Sequence, residues 1–248
     1  MKRQHFLIFA LLVVMVLLVV DPVYAGPGGA IAKAITKTFW GKLLMLVLVI
    51  IFAPLIIYVL IRERIGVFYT KRTLSKIAAV DRRFNWLDLE KDIRNAYSRV
   101  HIALDKEDMS AVQEYVSSWY WQNQQLVYLD EWKSRNLHNV CHLKTIGRIK
   151  PLYIELSEYD QFEGTRIAFS IFGEIEDYLI DNESRQIVEG SRGYQEVEKV
   201  WIFELTDGKW LLDDIRDGSL SLAFAKMKNS IPENLPTLLQ QNKVKRKA

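Results

Sequence analysis

Cysteine is nearly absent from this 248-residue chain: Cys141 is its single copy, so no intramolecular disulfide can staple the fold. That fits a reducing compartment. Also missing are a Gly-rich phosphate loop, a nucleophile elbow and a zinc-protease motif, so no sequence signature points to nucleotide hydrolysis, ester cleavage or metalloproteolysis. Charge is missing altogether between Leu43 and Ile61, nineteen consecutive uncharged and mostly branched-apolar residues. With no ionisable residue in that run and no partner helices, the pattern argues against a pore or transporter.

As a helix, the run spans about 28 Å, close to the thickness of a bilayer's hydrocarbon core. In lipid every backbone N–H and C=O must be paired internally, so helix is the only form available to it. The sequence therefore predicts a transmembrane helix over 43–61, with Pro54 expected to kink it. A shorter apolar run, Phe6 to Val20, comes after the basic start Met1-Lys2-Arg3. Asp21-Pro22 breaks it, and Val23-Tyr24-Ala25 offers small residues for a cut before Gly26, so residues 1–25 read as a signal peptide. The alternative is an uncleaved first membrane helix. Residues 26–42 form a short lead-in with Lys33, Lys37 and Trp40, an amphipathic turn at headgroup level.

The formal net charge of +3 conceals three zones. Residues 1–42 carry +4 and residues 62–83 carry +5, leaving −6 for the remainder. Within that remainder Lys243, Lys245, Arg246 and Lys247 hold +4, so the part expected to fold is strongly acidic. Such a domain lacks the basic footprint a nucleic-acid partner requires. The basic collar, Arg62, Arg64, Lys71, Arg72, Lys76, Arg82 and Arg83, instead stands where anionic headgroups would be, with Leu74 and Ile77 helically spaced among the cations. The same collar obeys the positive-inside rule and places the C-terminal domain in the cytoplasm, on a single-pass protein of the cell's inner membrane. We read 62–83 as a juxtamembrane linker, 84–220 as the folded domain and 221–248 as a basic tail.

In the domain, Leu89, Ile93, Ala96, Tyr97, Val100, Ala103 and Leu104 fall on one helical stripe, predicting a helix over 87–104. Asp108 is placed to cap a second helix running to about Arg135. Beyond it lie short β-rich runs: 140–149, 152–156, 165–180, 197–205 and 209–215. Val197, Trp201, Phe203 and Leu205 alternate with Glu196, Glu198 and Glu204 as in a half-buried strand, but Lys199 interrupts the apolar side and Val200 and Ile202 are apolar on the other, so the sheet is not cleanly wet on one face. Asp207-Gly208 is a two-residue hairpin signal, and Asp181-Asn182-Glu183-Ser184 is a further turn. Helices first and an antiparallel sheet after them give an α+β fold.

The helix pair carrying Ala96-Tyr97 and the Asp105…Asp108 break, with Ile187-Val188-Glu189-Gly190, Val200-Trp201-Ile202-Phe203 and Trp210-Leu211-Leu212-Asp213-Asp214-Ile215, resembles the Tim-forty-four-like domain family over roughly residues 84–216. That family includes a mitochondrial import-motor tether and membrane-anchored bacterial relatives. The resemblance implies a cone-shaped nuclear-transport-factor-two-like domain, with helices packed on a curved antiparallel sheet around an apolar pocket. It also implies a non-enzymatic scaffold that uses no cofactor and binds a lipid-like ligand or a protein partner. In that picture Trp119, Tyr153, Phe169, Trp201, Phe203, Trp210 and Leu212 line the sheet or pocket, and Gly190 makes a turn.

Related cones also host enzymes that place a His or carboxylate in the pocket. Candidates for such a role are His138, His142, Tyr153, Asp177 and Asp214, although their spacing fixes no pair. His138, Cys141 and His142 straddle the helix-to-strand change, where their side chains would diverge, so a metal site is poorly supported.

Overall fold

The computed structural model describes residues 38–245. The signal-like segment 1–25, most of the lead-in and residues 246–248 lie outside the described residues. The chain divides into two compact units, Met1–Ile61 and Arg62–Ala248.

Helix α1, Phe39–Ala78, is long and apolar enough to cross a membrane, and none of its most apolar window is buried within the protein. The helix does not stop at the collar. Val67, Thr70, Leu74 and Ile77 recur every three or four residues, and Thr70, Leu74 and Ile77 are fully buried in the second unit. The stretch read as a linker is therefore part of the fold, because this apolar stripe needs a core to cover it. At fold level the domain begins at Arg62 rather than Phe84.

Helix α2, Trp86–Asp105, starts where Asn85 accepts backbone N–H groups from Leu87 and Asp88, and it buries the stripe expected of it. Asp108 does cap, accepting from Ser110 N, but the element it caps is only a 3₁₀ turn, Met109–Val112. Val116 then leaves the helical path to pair with Leu212 at the rim of the sheet. The expected second helix is thereby split into α3 (Ser118–Gln122), a π turn (Asn123–Leu129) and α4 (Asp130–Ser134).

Four antiparallel strands come next in meander order, β1 (Leu137–Glu155), β2 (Arg166–Asp181), β3 (Ile187–Thr206) and β4 (Lys209–Asp217). The two runs predicted at 140–149 and 152–156 are one strand; Pro151 sits in its middle because β1 is an edge, where a missing N–H costs no ladder bond. Asp207 and Gly208 both take positive φ, 50° and 77°, the left-handed pair a two-residue hairpin demands. The Asp181 carboxylate accepts from Glu183 N and Ser184 N and closes the β2–β3 turn. Gly190, expected in a turn, instead lies inside β3 at φ 78°, where a Cβ would meet the Asp177 carbonyl oxygen at 2.4 Å. Next to it three β3 residues stand opposite Glu176 alone, a bulge that bends the strand.

Both outer edges are covered. On β1, the Glu107 and Asp105 carboxylates accept from Asn139 N and Cys141 N, and Arg94 donates to the Ile146 and Gly147 carbonyls. Lower down, Ser230 pairs with Ile154 and Leu156. On β4, Ser117 N donates to Leu212 O, and Leu212 N to Tyr115 O. These contacts satisfy ladder groups that would otherwise invite another chain.

The sheet is buried on two faces. One packs on α2 around Tyr97, Phe169, Trp201 and Phe203. The other holds Leu152, Ala168 and Val200 under Val67 of α1 and Phe224 and Ala225 of α5, Ser221–Lys226. This double burial explains why apolar residues occupy both alternations of β3. The tail is also folded: α6 spans Leu235–Lys245, and its Leu235, Leu238 and Leu239 pack on the main core.

Candidate functional site

A cleft of about 430 Å³ opens between the second half of α1 and the segment after α5. Arg62, Ile65, Gly66, Tyr69 and Thr73 form one wall, a helical face adjacent to the buried stripe. Ala225, Lys226, Met227, Lys228, Asn229 and Ile231 form the other.

The walls are fixed to each other. Gly66 lets the two backbones touch: a Cβ there would lie 2.3 Å from the Ala225 carbonyl oxygen. The Asn229 side-chain oxygen accepts from the Thr70 hydroxyl at 3.1 Å and from Ile154 N at 3.1 Å, so one amide joins α1, the tail segment and β1. The Thr70 hydroxyl lies 3.0 Å from the Leu152 carbonyl as well. Buried polar groups that satisfy one another in this way fix geometry as well as contributing stability.

Among the described residues the cleft is lined by the cations Arg62, Lys226 and Lys228 and by no carboxylate. Glu63, the acidic residue next to Arg62, is held by Lys150 in an ion pair. Ile65, Tyr69, Met227 and Ile231 supply apolar surface beside the charge. Chemically the arrangement suits an anion attached to an apolar body.

The collar residues separate into distinct roles. Arg62 lines the cleft; Arg64, Arg72 and Lys76 are exposed on α1. Lys71 sits with Nζ 4.1 Å over the Trp86 ring. Arg82 pairs with Asp88 at 2.9 Å. Arg83 is largely buried and committed: it contacts Asp81 at 2.7 Å, Glu163 at 3.1 Å and the Gln161 carbonyl at 2.6 Å. Arg83 is thus an internal clamp, not a headgroup contact, because a guanidinium with three acceptors in a half-dry site has little to offer outside.

Of the residues expected to line the sheet, Phe169, Trp201, Phe203 and Leu212 are fully buried core, and Trp210 donates its Nε1–H to the Arg83 carbonyl at 3.0 Å. Tyr153 lies on the other sheet face against Phe224. Trp119 departs from expectation: it is 59% exposed, because the π turn and the β-bridge of Val116 reorient α3. Its neighbour Tyr120 takes the buried place.

The acid–base candidates do not converge. His138 bonds Glu107 at 3.0 Å, and His142 lies 3.3 Å from Asp105 and 3.4 Å from Glu176, its cross-strand neighbour on β2. Asp214 pairs with Arg216. Asp177 adjoins a smaller hollow with Trp132, Asn139 and Glu189, where desolvation and the Glu189 charge raise its pKa. Burial, helped by nearby Asp177 and Asp105, pushes the Cys141 thiol up to about 12, so it is a packing residue rather than a nucleophile. No group of His, Cys, Asp and Glu among the described residues has the geometry to hold a metal ion.

Lys226, Lys228 and Asn229 were not legible as site residues. They stand some 160 residues from Arg62, and their sequence signal, a Lys-Met-Lys step after a short apolar stretch, reads as tail.

No family model matches the chain, and no curated protein matches it. Among solved structures, the intermembrane-space region of the chloroplast protein ARC6 aligns with 50% of this chain and 92% of that one, at 9% sequence identity and a TM-score of 0.39. A likeness that remote carries no argument.

Proposed function

We propose that this chain is a single-span inner-membrane protein that presents a non-enzymatic adaptor domain at the cytoplasmic surface, where it binds an apolar, lipid-like ligand or a protein partner. The observation that carries the reading is the change within α1. Among the described residues its most apolar window has no buried residue, and from Arg62 on the helix carries cations on one side and a buried stripe on another. A helix apolar on every face belongs in lipid, and the basic residues after it set the cytoplasmic side.

On this reading the domain is a cone of the nuclear-transport-factor-two-like kind, of the Tim-forty-four-like family. Support comes from the order of helices then meander, the bulged β3 and the sheet-lining aromatics. The adaptor role is supported by the dispersal of the catalytic candidates: His138 and His142 face carboxylates on β1's side of the sheet and neither lines the cleft. A role in protein translocation or membrane-protein assembly accords with that architecture.

Alkaline carbonate washing of membranes containing the full chain tests the anchor. The chain should stay with the lipid pellet, and protease added to inverted vesicles should digest the domain. Release into the supernatant sinks the proposal.

A further inference from the structure

We infer that the hollow beside Asp177 receives an ammonium group, carried by a lysine of an extended partner segment that adds to the free edge of β3; this names the partner chemistry of the adaptor reading above. The hollow measures about 180 Å³, with Trp132 of α4 as an aromatic wall. Asn139 stands opposite Leu179, and Leu179 opposite Glu189, so the three share one sheet face, and Asp177 joins them two residues along β2. Diagonal neighbours of this kind lie roughly 7–8 Å apart, close enough for one cation to touch both carboxylates.

Neither Asp177 nor Glu189 makes an ion pair or a side-chain hydrogen bond among the described residues. Lys199, whose field reaches Asp177, is held by Asp217 at 3.0 Å. Asn139 is only 6% exposed, and its Nδ2 donates at 3.1 Å to the Leu104 carbonyl, which can only accept. That fixes its Oδ1 as the amide's other end, and Oδ1 accepts no hydrogen bond among the described residues. A buried acceptor without a donor calls for one from outside. Calcium would need about six to eight oxygens, whereas an ammonium donates to the acceptors present and tolerates an indole wall. The volume falls short of whole-ligand sites, about 300 Å³ upward, and suits the end of one side chain.

The edges covered elsewhere are those of β1 and β4. Because β4 runs beside β3 only from Lys199 to Thr206, β3 is itself an edge from Ile187 to Val197. Among the described residues no backbone pairs with that side of it. Alternate residues of an edge strand turn N–H and C=O outward, which is the docking surface for an added strand. Register shifts at Val188 and at Arg192–Tyr194 confine the regular pairing to Glu189–Ser191, so the addition stays short. A residue added opposite Glu189 shares its face and delivers its side chain to the hollow. The folded part is strongly acidic, which disfavours a second copy and favours a basic segment.

The test uses the full chain in detergent and a labelled, capped threonine–valine peptide with one central lysine, read by fluorescence polarisation. Wild type should bind it saturably. Norleucine in place of the lysine should weaken binding about tenfold or more, as should D177N/E189Q, because charge-assisted bonds are lost. E114Q/E158Q removes as much charge from exposed positions outside the hollow and should change binding less than about threefold. Backbone N-methylation of the peptide, which blocks ladder bonds, should cost about tenfold or more. The norleucine and N-methyl comparisons use wild-type protein, so a misfolded variant cannot imitate them. No binding, equal affinity for the norleucine peptide, or equal losses in the two double variants overturns the ammonium site. Equal affinity for the N-methylated peptide, or for a single capped lysine, overturns docking on the strand edge. Displacement by millimolar calcium overturns the organic cation. Carbonate release reports on the anchor alone, so failure of that reading is distinguishable.

Discussion

The two halves of α1 are one helix by hydrogen bonding and two different objects by solvation. From Leu43 to Ile61 the run is apolar throughout, and among the described residues none of its most apolar window is buried. From Val67 to Ala78 the residues turned inward form a stripe of Val67, Thr70, Leu74 and Ile77, and Leu74 and Ile77 are as dry as any side chain in the core, while Ile65, Phe68 and Tyr69 stay exposed. Total hydrophobicity distinguishes the first half, and periodicity distinguishes the second. The difference teaches that one continuous helix can carry an all-round apolar segment and then an amphipathic one. Its residues Arg62 to Tyr69, about two turns, line the basic cleft.

A charge placed in each half separates them most sharply. Ile77→Asp buries an unpaired carboxylate in the domain, at a cost of several kcal/mol, comparable to the whole stability of an ordinary domain. The domain's cooperative thermal transition should vanish. Ile57→Asp should leave that transition within about 1 °C, while costing membrane insertion about 2.5–3.5 kcal/mol and increasing the fraction extracted by carbonate. A lost transition in Ile57→Asp would show that the first half is also packed on protein.

The next effect is smaller and has an unusual sign. Gly→Ala inside an ordinary exposed helix stabilises by about 1 kcal/mol. At Gly66 the added methyl meets backbone of Ala225, which cannot rotate away. Gly66→Ala should therefore destabilise, by about 1–3 kcal/mol as overpacking usually does, measured by urea titration of the full chain in detergent. A stabilised variant would mean that the cleft walls are not held together there.

Legibility from sequence divides along the same line, between features decided locally and features decided by distant partners. Stripes and turns were legible because each is decided by a few adjacent residues: α2 from Leu89 to Ala103, the hairpin from Asp207-Gly208, the turn from Asp181. The burial of both β3 faces was legible only in part: Val200 and Ile202 showed that the second face is not cleanly wet, while the alternating glutamates read as a half-buried strand. The failures depended on residues far along the chain. Val116 leaves its helix for Leu212, ninety-six positions away; Arg83 finds Glu163; Trp119 is turned outward by its neighbours. The cleft belongs to the same class. Arg62 was legible as a collar cation, whereas its companions Lys226 and Lys228 lie beyond the whole sheet in sequence, and no local pattern links them.

Exclusion of water also governs a polar group in the core, and there it can be tracked by pH. His101 lies against Tyr97 and Trp201, with ring centroids at 4.2 and 5.6 Å, and is almost wholly buried. Its Nδ1 stands 2.8 Å from the Tyr97 carbonyl, which can only accept, so Nδ1 carries the proton of a neutral ring. Desolvation pulls its pKa below the ordinary 6.5, against the smaller opposing pull of that hydrogen bond. The unfolded chain then takes up a proton below about pH 6.5 that the folded chain refuses, so stability is complete above that pH and falls as pH drops beneath it, by at most about 1.4 kcal/mol per pH unit. Between pH 7.5 and 5.0 the domain's melting temperature should fall more in wild type than in His101→Phe, which keeps an aromatic ring but cannot titrate. Identical pH slopes in the two proteins would mean that His101 is hydrated, and that the packing of α2 on Trp201 is looser than the ring distances indicate.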